Sequence, residues 1–134
     1  MPSDALKREA LIRLTKLLTE LASNVDLILV EGPRDVAALR TMMYSGDVAT
    51  CSRFRVNDAE LAEMIAADYR SVLVLTDFDQ EGSELNAKLS ELLEHMGVVV
   101  ERGFRADVGR IMAVLGVREV EALDNVSESI NNVF

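Results

Sequence analysis

Two short apolar runs, each followed closely by an acidic side chain and then a glycine, constrain the fold of this chain more than any other feature. The first is Leu27-Ile28-Leu29-Val30, which leads into Glu31-Gly32-Pro33. The second is Val72-Leu73-Val74-Leu75, which leads into Asp77-Phe78-Asp79-Gln80-Glu81-Gly82. Continuous apolar runs of this length are typical of strands buried on both faces of a parallel sheet. Glycine suits a sharp turn and proline suits a first helical turn, so each run is predicted to be a strand that leads into a helix.

The rest of the chain alternates between helical periodicity and short strand-like runs. Helices are predicted over about residues 3–22, 33–44, 57–68, 81–95 and 105–115, with Ser3 and Asn57 as N-caps. Strands are predicted at residues 27–30, 48–51, 71–76 and 98–100, and the tail from residue 117 is predicted to be helical and then to fray. This alternation predicts an α/β fold with about four mainly parallel strands and helices on both faces of the sheet.

Length and composition indicate one globular, cytoplasmic domain without a membrane partner. The chain has 134 residues, 49% of them hydrophobic, which is enough for a single core. No apolar run approaches the roughly 20 residues that span a bilayer, and the polar start is not that of a signal peptide. A single cysteine, Cys51, excludes an internal disulfide and a cysteine-rich zinc site, and we expect it to be a small packing residue.

The charge of the chain is strongly acidic, although its cations are grouped. A formal net charge of −9 opposes indiscriminate attraction to a polyanion, because non-specific nucleic-acid affinity comes mainly from neutralised phosphates. The grouped cations are Lys7, Arg8, Arg13 and Lys16, then Arg34 and Arg40, then Arg102, Arg105 and Arg110. Each group can be read as part of a local basic rim or as an ordinary solvated helix face.

The acidic residues after the second run indicate a cation site. Side chains two positions apart in an extended segment project to the same side, so Asp77 and Asp79 can converge on one point. At about 4 Å and an effective dielectric of about 20, two such charges repel by roughly 4 kcal/mol. Oxygen ligands of this kind suit Mg²⁺, with Mn²⁺ as a substitute. If the two strands are neighbours, Glu31 joins the pair at the carboxyl edge of the sheet.

Structural roles are the alternative for each of these residues. Asp77 and Asp79 can be an acidic loop that caps the following helix, a reading that the presence of Glu31 makes less favoured. Arg34 can contact a substrate phosphate or form an ion pair with Asp35. Asp35 itself can lie near the metal or stabilise the first turn of its own helix.

Two segments resemble the two defining motifs of the Toprim domain. They are Leu29-Val30-Glu31-Gly32-Pro33-Arg34-Asp35 and Leu75-Thr76-Asp77-Phe78-Asp79-Gln80-Glu81-Gly82, in the family's order. Type IA and type II topoisomerases, bacterial primases, OLD-family nucleases, RecR-type repair proteins and ribosomal-RNA maturation nucleases share this domain. The chain resembles the small, free-standing, primase-like members related to the ribosomal-RNA maturation nucleases. The resemblance implies a Rossmann-like Toprim fold over residues 1–134, with the helix at about 3–22 packed on it.

The resemblance also implies roles for particular residues. Glu31 matches the family's glutamate, which acts as a general acid or base or joins the metal site, and Asp77 and Asp79 match its metal-binding pair. Gly32 and Gly82 match the glycines of the two cofactor-binding turns. We also expect Arg34, Arg102 and Arg105 to contact substrate phosphates, the last two because they follow the fourth predicted strand.

The chain departs from the family pattern at two places. Thr50-Cys51-Ser52-Arg53 stands where the middle motif usually has a glycine, and Gln80 stands where type IA topoisomerases carry arginine. We expect no fused domain that would supply a tyrosine nucleophile, and Tyr44 and Tyr69 fall near predicted helix ends, where packing roles are expected. We therefore do not expect a stand-alone topoisomerase or primase.

Two functions from different classes follow from the sequence. The first is a Mg²⁺-dependent phosphoryl-transfer enzyme, a nuclease acting on RNA or structured nucleic acid, with RNA favoured over DNA as the partner. The second is a RecR-like, non-catalytic module that binds nucleic acid or a protein partner. The complete set of Glu31, Asp77 and Asp79 favours the enzyme, and the acidic net charge favours the module.

Overall fold

A computed structural model of the protein describes residues 3–52 and 55–133, with side chains described as far as residue 128. These residues contain four strands: β1 Leu27–Val30, β2 Val48–Thr50, β3 Ser71–Val74 and β4 Val99–Val100. They also contain six helices: α1 Asp4–Asn24, α2 Pro33–Thr41, α3 Asp58–Asp68, α4 Gln80–His95, α5 Arg102–Leu115 and α6 Ala122–Val133.

The strands form one parallel sheet in the order β2-β1-β3-β4. The chain leaves β1 to build β2 on one side of it, and then crosses back to build β3 on the other side. The order of the strands therefore reverses between β1 and β3. In open α/β sheets, a crevice forms outside the carboxyl ends of the strands at such a point, and ligands bind there.

Alternate residues of the two central strands pack into two separate cores, one on each face of the sheet. One core joins these strands to α1, α2 and α5, and it contains Ile28, Val30 and Leu73 of the strands and Leu75 directly after β3. The other joins them to α3 and α4, and its strand residues are Leu27, Leu29, Val72 and Val74. Helices therefore cover both faces, and the predicted α/β Toprim architecture is confirmed.

The N-terminal helix is an integral layer of this fold. Its apolar stripe is buried, with the side chains of Leu14 and Leu21 fully inaccessible to solvent, and it packs mainly against α5. Ser3 caps it as predicted, because its Oγ accepts a hydrogen bond from the backbone N–H of Leu6 at 3.2 Å. In the part of the chain that the structure describes, no helix has both the length and the apolarity to cross a bilayer.

The predicted elements agree with the structure except at some of their ends. Asn57 caps α3 as predicted, since its Oδ1 accepts from the N–H of Glu60 at 2.9 Å. Helix α2 ends at Thr41 rather than near residue 44, because Met43 takes a positive φ of 67° and reverses the chain. Helix α5 begins at Arg102, three residues before its predicted start. The tail from residue 117, which was predicted to be helical before it frays, contains the helix α6.

Candidate metal centre

The acids of the two motifs meet at the carboxyl edge of the sheet. Glu31 directly follows β1, and Asp77 lies three residues beyond the end of β3, the neighbouring parallel strand. The backbone N–H of Asp77 donates a hydrogen bond to Oε2 of Glu31 at 2.8 Å. This contact joins two residues 46 positions apart in the chain, and the predicted meeting of the two motifs is therefore observed for this pair.

The Asp77 carboxylate is held by a segment that the motifs do not include. Its Oδ1 accepts a hydrogen bond at 2.9 Å from the backbone N–H of Val120, in the connection between α5 and α6. Glu31 and Asp77 thus each use one carboxylate oxygen to accept from a backbone N–H. Besides these backbone donors, the two carboxyl groups lie close enough to share a hydrogen bond with each other, an interaction that raises the pKa of Glu31. A cation that replaced the shared proton could therefore bind the carboxylate oxygens that do not accept from the backbone.

Asp79 stabilises the start of helix α4. Its Oδ1 accepts from the backbone N–H of Gly82 at 2.7 Å, which makes Asp79 the N-cap of α4. The capping alternative therefore holds for this residue. Because capping occupies only one oxygen, a further role of Asp79 as a metal ligand stays a prediction.

Asp35 adds a third carboxylate to the neighbourhood of Glu31 and Asp77. Its side chain is only 6% exposed, and its Oδ2 accepts from the N–H of Gly32 at 2.9 Å to close the first turn of α2. The first-turn role considered for Asp35 is therefore observed. Burial raises the pKa of Asp35 above its ordinary value, and the charges of Asp77 and Glu121 raise it further.

Burial and neighbouring negative charges also raise the pKa of Glu31. Burial is the largest cause that raises its pKa above the ordinary value of 4.5, and the negative charges of Asp77 and Asp35 act in the same direction. The hydrogen bond from the Asp77 N–H opposes this shift by stabilising the charged carboxylate. A cation bound here would relieve the repulsion among the three acids.

The set of side chains that could bind a cation at this edge of the sheet is small. Within residues 3–52 and 55–133, no three His, Cys, Asp or Glu side chains already converge in the geometry of a metal site. Mg²⁺ commonly takes only one or two protein carboxylates and keeps several water ligands. Glu31 and Asp77, in contact and each with a second oxygen available, fit an ion of this kind.

Arg105 of α5 lies beneath the loop that carries Asp77. Its Nη1 donates to the carbonyl oxygens of Val74 at 3.1 Å and Thr76 at 2.8 Å, and its Nη2 donates to that of Asp77 at 3.2 Å. Its guanidinium also stacks on the ring of Phe78, 4.3 Å from the ring centroid. Burial lowers the pKa of Arg105 to about 10, so the group remains charged at neutral pH. The structure thus directs this side chain to the backbone of the loop, whereas the sequence suggested a phosphate contact.

The two motif glycines differ in what requires them. A Cβ on Gly82 would lie 2.2 Å from the carbonyl oxygen of Asp77, and Thr76 Oγ1 donates to the carbonyl of Gly82 at 2.6 Å. Gly82 is therefore needed for a close approach of two backbone segments. Gly32 has an extended φ of −151°, and no atom lies within 4 Å of a Cβ placed there. Both glycines were expected for the conformational freedom of a sharp turn, whereas the structure requires Gly82 for this close approach and shows no steric requirement at Gly32. Cofactor binding by the two turns stays a prediction.

The other predicted phosphate contacts lie among acids. Arg102 forms an exposed ion pair with Glu94 near the end of α4, and exposed Arg34 lines a surface cavity with Glu119 and Asp124. Phosphate binding by Arg34 and Arg102 stays a prediction. Arg53, the last residue of the divergent middle motif, lies outside the described residues.

Two residues without an assigned site role have the packing roles expected of them. Burial raises the pKa of the Cys51 thiol to about 12, and the nearby Glu31 charge adds to the shift, so the thiol stays protonated. The Tyr44 side chain is 2% exposed and belongs to the core that includes α1.

Sequence reasoning missed the contributions of Val120 and Arg105 to the loop. Val120 acts through its backbone N–H, which every residue except proline has, so its sequence offers no signal. The apolar periodicity of α5 predicts a buried face, and Arg105 lies on that face between buried Val108 and the strand ends. A cation on a buried helix face was the available signal.

Comparisons with known proteins agree with this architecture. The family model described as the Toprim domain matches residues 26–111. A UPF0292 protein of Thermococcus onnurineus is 36% identical over 99 residues, which cover 74% of this chain and 72% of that protein. A UPF0292 protein of Methanosarcina acetivorans is 30% identical over 119 residues, which cover 87% of this chain and 81% of that protein. A solved structure from Aquifex aeolicus superposes with a TM-score of 0.66 at 29% identity, covering 81% of this chain and 95% of that chain.

The family assignment defines the general class of function. Toprim domains typically bind divalent metal ions and take part in functions that involve nucleic acids. The matched region contains Glu31, Asp77, Asp79 and Arg105, and it ends before Val120. Its fold, its two motifs and its similarity to the UPF0292 proteins show that the chain belongs to the Toprim domain family.

Proposed function

We propose that the protein is a Mg²⁺-dependent phosphoryl-transfer enzyme, a nuclease that acts on RNA or structured nucleic acid. The observation that supports it best is the 2.8 Å hydrogen bond from Asp77 N–H to Glu31 at the crevice between β1 and β3. It brings two acids from different motifs together where open α/β sheets bind their ligands. Family membership adds the metal and the nucleic acid as general classes of ligand.

Glu31 and Asp77 would hold the ion, each through the carboxylate oxygen that does not accept from the backbone. Bound there, Mg²⁺ supplies a Lewis acid that stabilises charge developing on a phosphate. Asp79 would contribute its second oxygen while it continues to cap α4. In the alternative role, with Asp77 and Asp79 holding the ion and Glu31 outside the ligand set, the raised pKa of Glu31 would suit it to hold or release a proton, because effective acids and bases titrate closer to the working pH.

The surroundings of the site favour an anionic, extended substrate. Helices α2 and α4 both begin at this edge of the sheet, and the N-terminal ends of helices favour phosphate groups. The open space above Gly32 would let a substrate backbone approach the turn closely. A preference for RNA comes from the resemblance to the ribosomal-RNA maturation nucleases.

A non-catalytic module that binds nucleic acid or a protein partner is the second candidate. Glu31, Asp77 and Asp79 each already accept a backbone hydrogen bond, a use that stabilises the fold without any metal. The net charge of −9 also favours dependence on a partner for nucleic-acid binding.

The test is cleavage of labelled RNA and DNA panels by the full chain in Mg²⁺, Mn²⁺ or chelator. Asp77→Asn keeps an oxygen that can accept from Val120 N–H but removes the charge, and Asp68→Asn is the control because Asp68 is an exposed acid at the end of α3. We expect metal-dependent cleavage that falls about 100-fold or more in Asp77→Asn and is unchanged in Asp68→Asn. Nucleic-acid binding without cleavage would support the module, and cleavage in chelator would contradict the enzyme proposed here.

A further inference from the structure

The guanidinium of Arg105 forms hydrogen bonds with the backbone of the loop that leads from β3 to Asp77. This one side chain donates to the carbonyls of Val74, Thr76 and Asp77 at 2.8–3.2 Å. The side chain is 8% exposed, so these carbonyls have little access to water as alternative donors. A planar guanidinium can satisfy several acceptors in fixed directions, which the single ammonium of a lysine does not.

Phe78 holds the guanidinium from the other side. The Arg105 guanidinium lies 4.3 Å from the centroid of its ring. Gly109, one helical turn after Arg105, makes room for that ring, because a Cβ there would lie 2.7 Å from Phe78 Cε1. The stack fixes the plane of the guanidinium over the ring.

Asp77 and Phe78 are also held by the connection between α5 and α6. The backbone N–H of Phe78 donates to the carbonyl of Arg118 at 2.7 Å, and the N–H of Val120 donates to Asp77 Oδ1 at 2.9 Å. Asp77 is therefore held at its carbonyl by Arg105 and at its carboxylate by Val120. Both partners of Asp77 in these contacts, Arg105 and Val120, lie outside the two acidic motifs.

We infer that Arg105 is a positioning residue for the metal centre: it fixes the backbone of the Asp77 loop so that the Asp77 carboxylate stands beside Glu31. The inference rests on the metal site of the proposed function. Three hydrogen bonds direct the guanidinium of Arg105 to the loop carbonyls, and the Phe78 ring covers one face of it. Because the residue is only 8% exposed, little of the group is open to a substrate phosphate. The side chain therefore acts on the ion through Asp77.

The test compares the Mn²⁺ affinity of the full chain and two variants by titration with detection of unbound Mn²⁺ by electron paramagnetic resonance. Arg105→Lys keeps a positive charge but loses the planar set of donors. Arg110→Lys is the matched control, since Arg110 lies on the same helix, is exposed and pairs only with Asp107 among the described residues. We expect a dissociation constant raised about 10-fold or more in Arg105→Lys and unchanged in Arg110→Lys.

A second measurement reports the position of the carboxylate without any metal. Amide hydrogen exchange at Val120 and Asp77 monitors the two hydrogen bonds that involve Asp77 and Glu31. We expect these two amides to exchange faster in Arg105→Lys, while the amides of β1 keep their protection. A loss of stability without a positioning role would instead lower protection throughout the sheet and leave Mn²⁺ affinity unchanged in the folded protein.

The outcomes separate this inference from the proposed function. Wild-type affinity for Mn²⁺ in folded Arg105→Lys overturns the positioning role, even if the enzyme cleaves RNA. Mn²⁺ binding without cleavage defeats the nuclease and leaves the positioning role standing, whereas a wild-type chain that binds no Mn²⁺ overturns both. If Arg105→Lys does not fold, Phe78→Leu replaces it, and unchanged affinity and amide exchange in that variant contradict the inference.

Discussion

The ends of β1 and β3 carry the same kind of motif but are built differently. Each strand leads through an acid and a glycine into a helix, α2 or α4. At the end of β3, the loop is fixed by Arg105, by the connection after α5 and by the close approach of Gly82 to Asp77. At the end of β1, no atom lies within 4 Å of a Cβ placed on Gly32, so the side-chain direction of this residue is open.

This difference indicates that the two strand ends have different roles at the same crevice. The β3 end holds Asp77 at its N–H, its carbonyl and one carboxylate oxygen, and is suited to hold an ion at a defined position. The β1 end keeps Glu31 in contact with Asp77 but leaves room around the following turn, where a substrate can enter. Each of the following substitutions tests one side of this contrast.

The largest expected effect comes from the two glycines. Gly82→Ala should lower the free energy of unfolding by about 2 kcal/mol or more, because its Cβ would lie 2.2 Å from the Asp77 carbonyl oxygen. Gly32→Ala should change it by less than about 1 kcal/mol, since the backbone there is extended and the space is open. Urea unfolding measures both, and equal effects of the two substitutions would remove the contrast between the strand ends.

A smaller effect is expected at Asp79, where capping and metal binding can be separated. Asp79→Ala should lower the free energy of unfolding by about 1 kcal/mol, because α4 loses its N-cap. Asp79→Asn keeps a capping oxygen and should keep most of that stability. Mn²⁺ titration of the folded Asn variant then measures the metal role alone, and wild-type affinity would mean that Asp79 only caps the helix.

The smallest effect concerns the pH dependence of stability at Glu31. Because the pKa of Glu31 is higher in the folded state than its ordinary value of 4.5, its contribution to the free energy of unfolding decreases as pH rises through that raised pKa. Glu31→Gln removes this titration while its amide oxygen can still accept from Asp77 N–H. The variant should therefore gain stability relative to the wild type between about pH 4 and pH 7, in chelator.

The control for this pH series is Glu63→Gln, a change of the same chemistry at an exposed residue of α3. Saturating Mg²⁺ should reverse the order at pH 7, because the ion stabilises the wild type more than a variant with one carboxylate fewer. A constant difference between Glu31→Gln and the wild type across the whole range would contradict the raised pKa.

Local patterns were sufficient to predict most of the elements and both motifs. The bounds of β1 and the capping by Ser3 and Asn57 were predicted because they depend on residues within four positions of one another. The function of Arg105 was not predicted. A cation after the fourth strand has the same neighbours in the sequence whether it contacts a phosphate or a backbone carbonyl. Only the packing of α5 against β3 distinguishes these cases.

By itself, the sequence determined an α/β domain with two strand-to-helix turns, each carrying the acids of a Toprim motif, because apolar periodicity and turn chemistry are short-range properties. The tertiary structure alone decided that β1 and β3 are neighbours, which puts Glu31 in contact with Asp77. It also decided that Val120 and Arg105 hold Asp77. These contacts join residues 28 to 46 positions apart, and their geometry depends on how the strands pair and the helices pack.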